Sequence, residues 1–115
     1  AYGGHAPARK AVESVGTNPL FNGMEVKLLM VGEDTEAARS TLDEPTKLLE
    51  NAGLSVSSEL VPGEAVEVIS ARASSDTFDM LVMGAYGGGR LRSMFIGSTT
   101  TEMLVSCRVP VLLFR

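Results

Sequence analysis

The sequence predicts an α/β fold in which a parallel sheet is covered by helices on both faces. Apolar runs short enough for strands alternate along the chain with longer segments whose apolar residues recur at helical spacing. Strands that alternate with helices form a parallel sheet, because each crossover carries a helix onto one face. With 115 residues, 44% of them hydrophobic, the chain can bury one core, so a single domain over residues 1–115 is expected.

A helix is predicted close to the start of the chain, because four apolar residues recur there at helical spacing: Ala8, Ala11, Val12 and Val15. Pro7 suits the first helical position, where an amide hydrogen is not required. A turn over residues 18–23 follows. Residues 24–31 (MEVKLLMV) are too short for a typical helix and nearly all apolar at their end, which indicates a buried strand.

The second helix is predicted from an apolar face that consists of Ala38, Leu42, Leu49 and Ala52. It ends at Gly53, since glycine is common just past the last residue of a helix. Pro45 lies inside this segment and cannot supply the amide that an interior position requires. Either the helix kinks at Pro45, or Pro45 begins a second helical piece.

The middle of the chain is predicted to add a strand, a helix and a further strand. Residues 54–61 (LSVSSELV) alternate apolar and polar side chains, as in a strand exposed on one face near a sheet edge. Pro62 and Gly63 introduce a helix. Its core-facing stripe consists of Val66, Ile69 and Ala73. Residues 78–83 (FDMLVM) are the next strand.

A last helix and a last strand close the chain. Thr99 and Glu102 form a capping-box pattern for a helix that reaches about Ser106. Residues 109–114 (VPVLLF) then form an apolar strand. At the other end, residues 1–4 (AYGG) precede the first helix where an alternating fold requires a strand. We expect these to be the last residues of such a strand, which is cut off upstream or supplied elsewhere.

Composition excludes several classes of function. A formal net charge of −4 without a Lys/Arg run argues against nucleic-acid binding, which needs clustered cations. Apolar runs are far shorter than the roughly 20 residues of a membrane span, and nothing resembles a signal peptide. No membrane partner and a cytoplasmic location are therefore expected. Cys107 is the one cysteine and is expected to act as a small hydrophobe at the end of the last helix.

A glycine-rich segment, residues 83–98 (MGAYGGGRLRSMFIGS), follows the strand at residues 78–83. Glycine at this density costs backbone entropy, which indicates unusual dihedral angles or the close approach of a phosphate; a simple surface turn is the alternative. A Walker A loop is excluded, because Arg90 and Leu91 stand where lysine and a hydroxyl are required. The dinucleotide fingerprint G-x-G-x-x-G is excluded because its spacing does not occur.

The spacing Gly84-x2-Gly87-x9-Gly97-Ser98 behind the FDMLVM strand resembles the nucleotide loop of the universal stress protein family. The resemblance covers the whole chain, since the element order and the closing VPVLLF strand also match. It implies a three-layer, doubly wound α/β fold of the adenine nucleotide alpha hydrolase type, with a parallel five-stranded sheet of order 3-2-1-4-5. The truncated strand is the first and central strand of that sheet.

The resemblance also implies a site for ATP or AMP, with or without Mg²⁺. Free amides at the glycines and at the start of the last helix would suit phosphate oxygens, and the Val31 backbone would meet the adenine edge. Arg90, like Arg92, would reach phosphate or simply face solvent. The implied cofactor-binding residues are Gly3, Val31, Met83, Gly84, Gly87, Arg90, Gly97, Ser98 and Thr99, with no metal ligand and no catalytic residue.

One position departs from the family pattern. Nucleotide-binding members carry an aspartate after the first strand, in a pattern like Y-D-G-S, where this chain has Tyr2-Gly3-Gly4-His5. Gly3 thus replaces a carboxylate that faces the ribose, and His5 replaces a hydroxyl. His5 is expected to be an exposed loop residue or to point at a phosphate.

Two classes of function follow from the resemblance. One is a stress-response module regulated by a bound adenine nucleotide, and the other is a dimerising interaction module that has lost its ligand through Gly3. Hydrolysis is disfavoured, because Asp34 is the one carboxylate expected near the loop. The apolar strand at residues 109–114 is expected at a sheet edge, where Val109, Val111 and Leu113 would pair with a second copy or a sister domain.

Overall fold

The computed structural model describes residues 1–75, 77–85 and 98–115. The four helices described are α1 (Ala6–Thr17), α2 (Glu36–Asn51), α3 (Ala65–Ala73) and α4 (Ser98–Ser106). The four strands described are β1 (Glu25–Val31), β2 (Ser55–Val61), β3 (Leu81–Gly84) and β4 (Val111–Phe114). A short 3₁₀ turn, Pro19–Phe21, links α1 to β1.

The strands form two parallel pairs, β1 with β2 and β3 with β4. The backbone of the first two residues connects the pairs. The Tyr2 nitrogen donates to the Leu29 carbonyl of β1 at 2.7 Å, and the Ala1 nitrogen donates to the Val82 carbonyl of β3 at 2.6 Å. The predicted α/β class with parallel strands is confirmed.

Helices cover the strands on two faces, so the molecule has three layers. Leu28 and Leu29 of β1 point to opposite faces, because side chains alternate along a strand. The first core packs α1 and α2 against Leu28, with these buried members: Tyr2, Ala8, Val12, Val15, Phe21, Leu42, Leu49 and Leu54. The second core packs α3 and α4 against Leu29 and consists of Leu29, Ile69, Met83 and Met103.

Helix α1 agrees with its predicted pattern. All four residues of the predicted stripe are buried. Pro7 lies in the first turn, where a backbone amide has no acceptor within the helix, so the proline costs no hydrogen bond. The segment after α1 is more ordered than a simple turn. The Asn18 side chain accepts a hydrogen bond from the Leu20 amide at 3.0 Å, and the 3₁₀ turn buries Phe21 in the first core.

Helix α2 is one continuous helix with Pro45 inside it, which excludes a separate second piece. Pro45 is buried together with Leu42 and Leu49, so the proline ring contributes to the packed face. Ala52 was predicted on the same face, but it is exposed because the helix has already ended at Asn51. Gly53 adopts φ of +88°, the left-handed conformation that glycine supplies just past a helix.

The strands begin later than their apolar runs. β3 begins at Leu81 rather than at residue 78, because its parallel partner β4 begins only at Val111. The first hydrogen bond between them runs from the Leu81 amide to the Pro110 carbonyl. β4 begins at Val111 rather than at Val109, because the preceding Pro110 has no amide hydrogen to enter a ladder. The predicted ends of β1 and β2 are confirmed.

Helices α3 and α4 pack side by side over the second core. Ile69 and Ala73 of the predicted α3 stripe are buried, and Val66 is half-buried. Helix α4 begins at Ser98, one residue before Thr99, so the expected cap at Thr99 is wrong and that residue lies in the first turn. Cys107 is a half-buried free thiol that follows α4 and packs against the second core.

Candidate functional site

Three of the predicted binding residues, Gly3, Val31 and Gly84, lie close to the backbone hydrogen bonds that residues 1–2 make with β1 and β3. Val31 ends β1 and Gly84 ends β3, each two residues beyond the carbonyl that Tyr2 or Ala1 engages. Gly3 follows Tyr2 directly. The turn from Gly3 into α1 therefore lies beside the ends of both strands, which is where ligands bind in open α/β sheets.

Gly84 lies in tight contact with the start of α1. A Cβ atom on Gly84 would lie 2.6 Å from the Ala8 nitrogen and 2.8 Å from the Pro7 carbonyl carbon. Both are backbone atoms of a helix and cannot move aside cheaply. The structure thus gives Gly84 a packing role that the sequence pattern did not indicate.

The turn before α1 contains two glycines with different requirements. Gly4 adopts φ of +76°, which favours glycine at this position. Gly3 has an ordinary backbone conformation, and a Cβ there would meet the His5 ring at 3.5 Å, an ordinary van der Waals distance. The backbone and its surroundings therefore leave room for a Cβ atom at Gly3.

His5 lies at the N-cap position of α1 and is exposed. Its side chain makes no capping hydrogen bond to the helix. The helix end therefore does not orient the imidazole, and the core does not cover it. This agrees with the expectation that His5 is an exposed loop residue.

Val31 and Met83 offer backbone rather than side-chain groups. The Met83 side chain is buried in the second core, and the Val31 side chain packs against that core. Beyond Val31, the Gly32 amide donates to the Val61 carbonyl at 2.9 Å and extends the β1–β2 pairing by one bond. The chain turns away from the sheet after this bond.

The turn between β1 and α2 carries a paired carboxylate. Arg39 donates two hydrogen bonds of 2.6 Å to Asp34, one from Nε to Oδ1 and one from Nη2 to Oδ2. These hydrogen bonds hold the pKa of the Asp34 carboxyl below its ordinary value. The Thr35 hydroxyl accepts from the Ala38 amide and caps α2. Asp34, the one candidate carboxylate from the sequence, is thus engaged by Arg39, a partner that the sequence analysis missed.

The remaining predicted residues belong to the glycine-rich segment and its helix. The backbones of Ser98 and Thr99 form the first turn of α4, as expected for Ser98. Gly87, Arg90 and Gly97 lie outside the residues that the structure describes, as does Arg92.

Two features are absent from the part of the chain that the structure describes. Within residues 1–75, 77–85 and 98–115, no three His, Cys, Asp or Glu side chains are grouped so that they could hold a metal ion. None of the helices in the same ranges combines the length and the apolar character needed to cross a bilayer.

Comparisons with known proteins agree on one family. The model of the universal stress protein family matches residues 3–115. Universal stress protein Slr1230 of Synechocystis is 34% identical over the full chain, and universal stress protein MJ0577 of Methanocaldococcus jannaschii is 30% identical over 70% of it. The full chain spans 41% of the length of Slr1230, and the segment that aligns with MJ0577 spans 50% of that protein.

Solved structures give the same picture for the fold. Hypothetical protein MJ0577, solved as a test case of structural genomics, superposes with a TM-score of 0.85 at 25% identity, covering 96% of this chain and 88% of that one. A universal stress protein from Archaeoglobus fulgidus superposes with a TM-score of 0.76 at 15% identity, covering 96% and 90%. The second likeness concerns the fold alone.

The contact of Gly84 with α1 leads to a prediction about stability. Gly84→Ala should lower the free energy of unfolding by about 1–3 kcal/mol, because the added methyl group overlaps backbone atoms of Pro7 and Ala8. Gly3→Ala is the matched control and should change it by less than about 1 kcal/mol, since its methyl group has room. Urea denaturation followed by circular dichroism measures both. Equal effects of the two substitutions would contradict the described packing.

Proposed function

The chain belongs to the universal stress protein family, and on that basis we propose that it binds an adenine nucleotide, ATP or AMP, as a regulatory domain in the stress response. The observation that carries the proposal is the arrangement of the strand ends: β1 and β3 end beside the turn that leads into α1. The proposed domain comprises residues 1–115. Its proposed location is the cytoplasm.

The phosphate end of the nucleotide is assigned to the glycine-rich segment. This segment, residues 83–98, contains Gly84, where β3 ends, and Ser98, where α4 begins. The first amides of a helix have no partner within the helix, and the helix dipole places partial positive charge there, so the start of α4 suits phosphate oxygens. Gly87, Arg90, Gly97 and Thr99 complete the proposed phosphate site.

The adenine end is assigned to the last residue of β1. The side chain of Val31 is directed toward the second core, which leaves its backbone for the base. Recognition through the backbone is compatible with core packing, because the two use different atoms of the residue. Met83 contributes in the same way, since its side chain is buried.

We further propose that the two strand pairs belong to one five-stranded sheet of order 3-2-1-4-5. In that order, β2 and β1 are followed by the central strand, then by β3 and β4. The support is the bonding of residues 1–2, which reach β1 on one side and β3 on the other. A strand upstream of Ala1 would continue this bonding.

The second candidate function is an interaction module without a nucleotide. Gly3 favours it, because no carboxylate stands at the position where nucleotide-binding members carry one. Within the described chain, Asp34 does not replace that carboxylate, because Arg39 engages both of its oxygens. The same engagement leaves Asp34 a poor ligand for Mg²⁺, and hydrolysis is not part of the proposal.

Pairing of two copies is proposed to use the free side of β4. The carbonyls of Pro110 and Phe114 accept hydrogen bonds from Leu81 and Ala85, toward β3. Since backbone groups alternate along a strand, those of Val111 face the opposite side. The Val111 side chain packs against this chain's own second core, so the contact would be made by backbone hydrogen bonds rather than by the side chains first expected.

Calorimetry on the complete protein tests nucleotide binding. ATP or AMP should bind with measurable heat at millimolar concentrations or below. Gly97→Val should abolish that heat while the circular dichroism spectrum stays unchanged, because the side chain would obstruct the proposed phosphate site. No heat with ATP, ADP or AMP for the unmodified protein would reject nucleotide binding and favour the interaction module.

Restoring the family carboxylate tests the ribose end. Gly3→Asp should tighten the binding of magnesium-ATP by at most roughly 1.5–3 kcal/mol, the net contribution of a hydrogen bond to a charged group. A Cβ atom at this position meets the His5 ring only at van der Waals distance. Gly3→Ala is the control, since it adds the Cβ without the charge and should leave the affinity unchanged. An unchanged affinity for Gly3→Asp would show that this turn does not contact the ligand.

Light scattering tests the pairing through β4. The unmodified protein at tens of micromolar, with no sister domain attached, should show twice the mass of one chain, because the free backbone groups of β4 pair antiparallel around a twofold axis. A monomeric mass under these conditions would exclude the pairing.

A further inference from the structure

A cleft lies beside α3, and Val61, the last residue of β2 and the partner of Val31, lines it on one side. Its volume is about 380 Å³, within the range of small-molecule sites. The other walls come from β1, from α3 and from residues before β3, and they include Lys27, Val68, Arg72 and Phe78. Lys27 lies four residues before Val31, which is roughly 13 Å along the strand.

Two cations at this cleft share a single carboxylate. The Arg72 guanidinium donates through Nη2 to Glu59 Oε1, and the Lys27 ammonium lies 3.8 Å from Glu59 Oε2. At 3.8 Å the lysine contact is an ion pair and not a hydrogen bond. Glu59 Oε2 is buried and accepts no hydrogen bond within the described chain. One positive charge therefore remains uncompensated by this carboxylate.

Lys27 is held between Glu59 and an aromatic ring. Its ammonium nitrogen lies 5.8 Å from the centre of the Phe78 ring, within the range of a cation–π contact. The Lys27 side chain is 38% exposed. An ammonium with three donors and two weak contacts retains donors for a ligand, because neither contact is a hydrogen bond.

Most of the other walls of the cleft are apolar, and Ser75 and Thr77 are the polar residues among them. Val61, Val68 and Ala71 line it together with the Phe78 ring. The Ser75 hydroxyl also lines it, but it already donates to the Arg72 carbonyl at 2.7 Å. The ligand best matched to these walls has an apolar body that contacts Val68 and Phe78 and a charged end that reaches Lys27.

We propose that this cleft binds a small organic monoanion, a carboxylate on an aliphatic or aromatic body. Among the described residues, Lys27 and Arg72 against Glu59 leave a single positive charge, which matches one carboxylate. A phosphate dianion fits less well, because it carries one negative charge more than this balance. The proposal does not depend on nucleotide binding, since it uses none of the residues assigned to the nucleotide.

Benzoate is a suitable probe, with benzyl alcohol as its uncharged analogue. In an NMR titration of the complete protein, benzoate should shift the amide signals of Lys27, Arg72 and Phe78, while benzyl alcohol should bind at least tenfold more weakly. Lys27→Met keeps most of the apolar stem and removes the charge, so it should weaken benzoate binding at least tenfold. Lys47→Met makes the same change at an exposed residue of α2 outside the cleft and should have no effect.

Glu59→Gln should change the affinity for benzoate in the opposite direction from Lys27→Met. Removing the competing carboxylate frees charge on both cations, so benzoate should bind several-fold more tightly. If this variant does not fold, judged by circular dichroism, the comparison of Lys27→Met with Lys47→Met decides alone. The proposal is overturned if benzoate does not bind, if the two lysine variants behave alike, or if inorganic phosphate binds more tightly than benzoate.

Discussion

The backbone of Ala1 and Tyr2 holds the two strand pairs of this protein together. Each of these residues donates one hydrogen bond to a different pair, to Leu29 of β1 and to Val82 of β3. The same segment leads directly into α1, whose start packs against Gly84 without room for a methyl group. Both helical layers and both strand pairs are thus positioned relative to one short extended segment.

This arrangement also explains why the ends of β1 and β3 form a candidate site. Gly3 follows the two residues that bond β1 and β3, and it brings no side chain to that position. In the resemblance drawn from the sequence, nucleotide-binding members carry a carboxylate there. A nucleotide at the strand ends would therefore meet backbone groups but no carboxylate at Gly3.

Periodicity predicted the helices well because burial follows it. The α1 stripe is buried where the spacing placed it, whereas of the four residues predicted on the α2 face only Leu42 and Leu49 are buried. The sequence left open whether Pro45 kinks α2 or begins a second helical piece, and the structure has one helix. The first residues of β3 and β4 were predicted less well, because the register of pairing between the two strands decides where both begin. Leu81 and Val111 form the first pair of that register. The cluster of Lys27, Glu59 and Arg72 was missed, since its members lie on three elements and share no sequence spacing.

An NMR titration with AMP, which reports each amide separately, tests the central claim most directly. If the strand ends form a nucleotide site, the signals of Gly3, Val31, Gly84 and Ser98 should shift together and saturate with one affinity. The amide of Lys27, near the other end of β1, should stay unchanged. The absence of shifts at the four positions, or shifts that centre on Lys27, would contradict a nucleotide site at the strand ends.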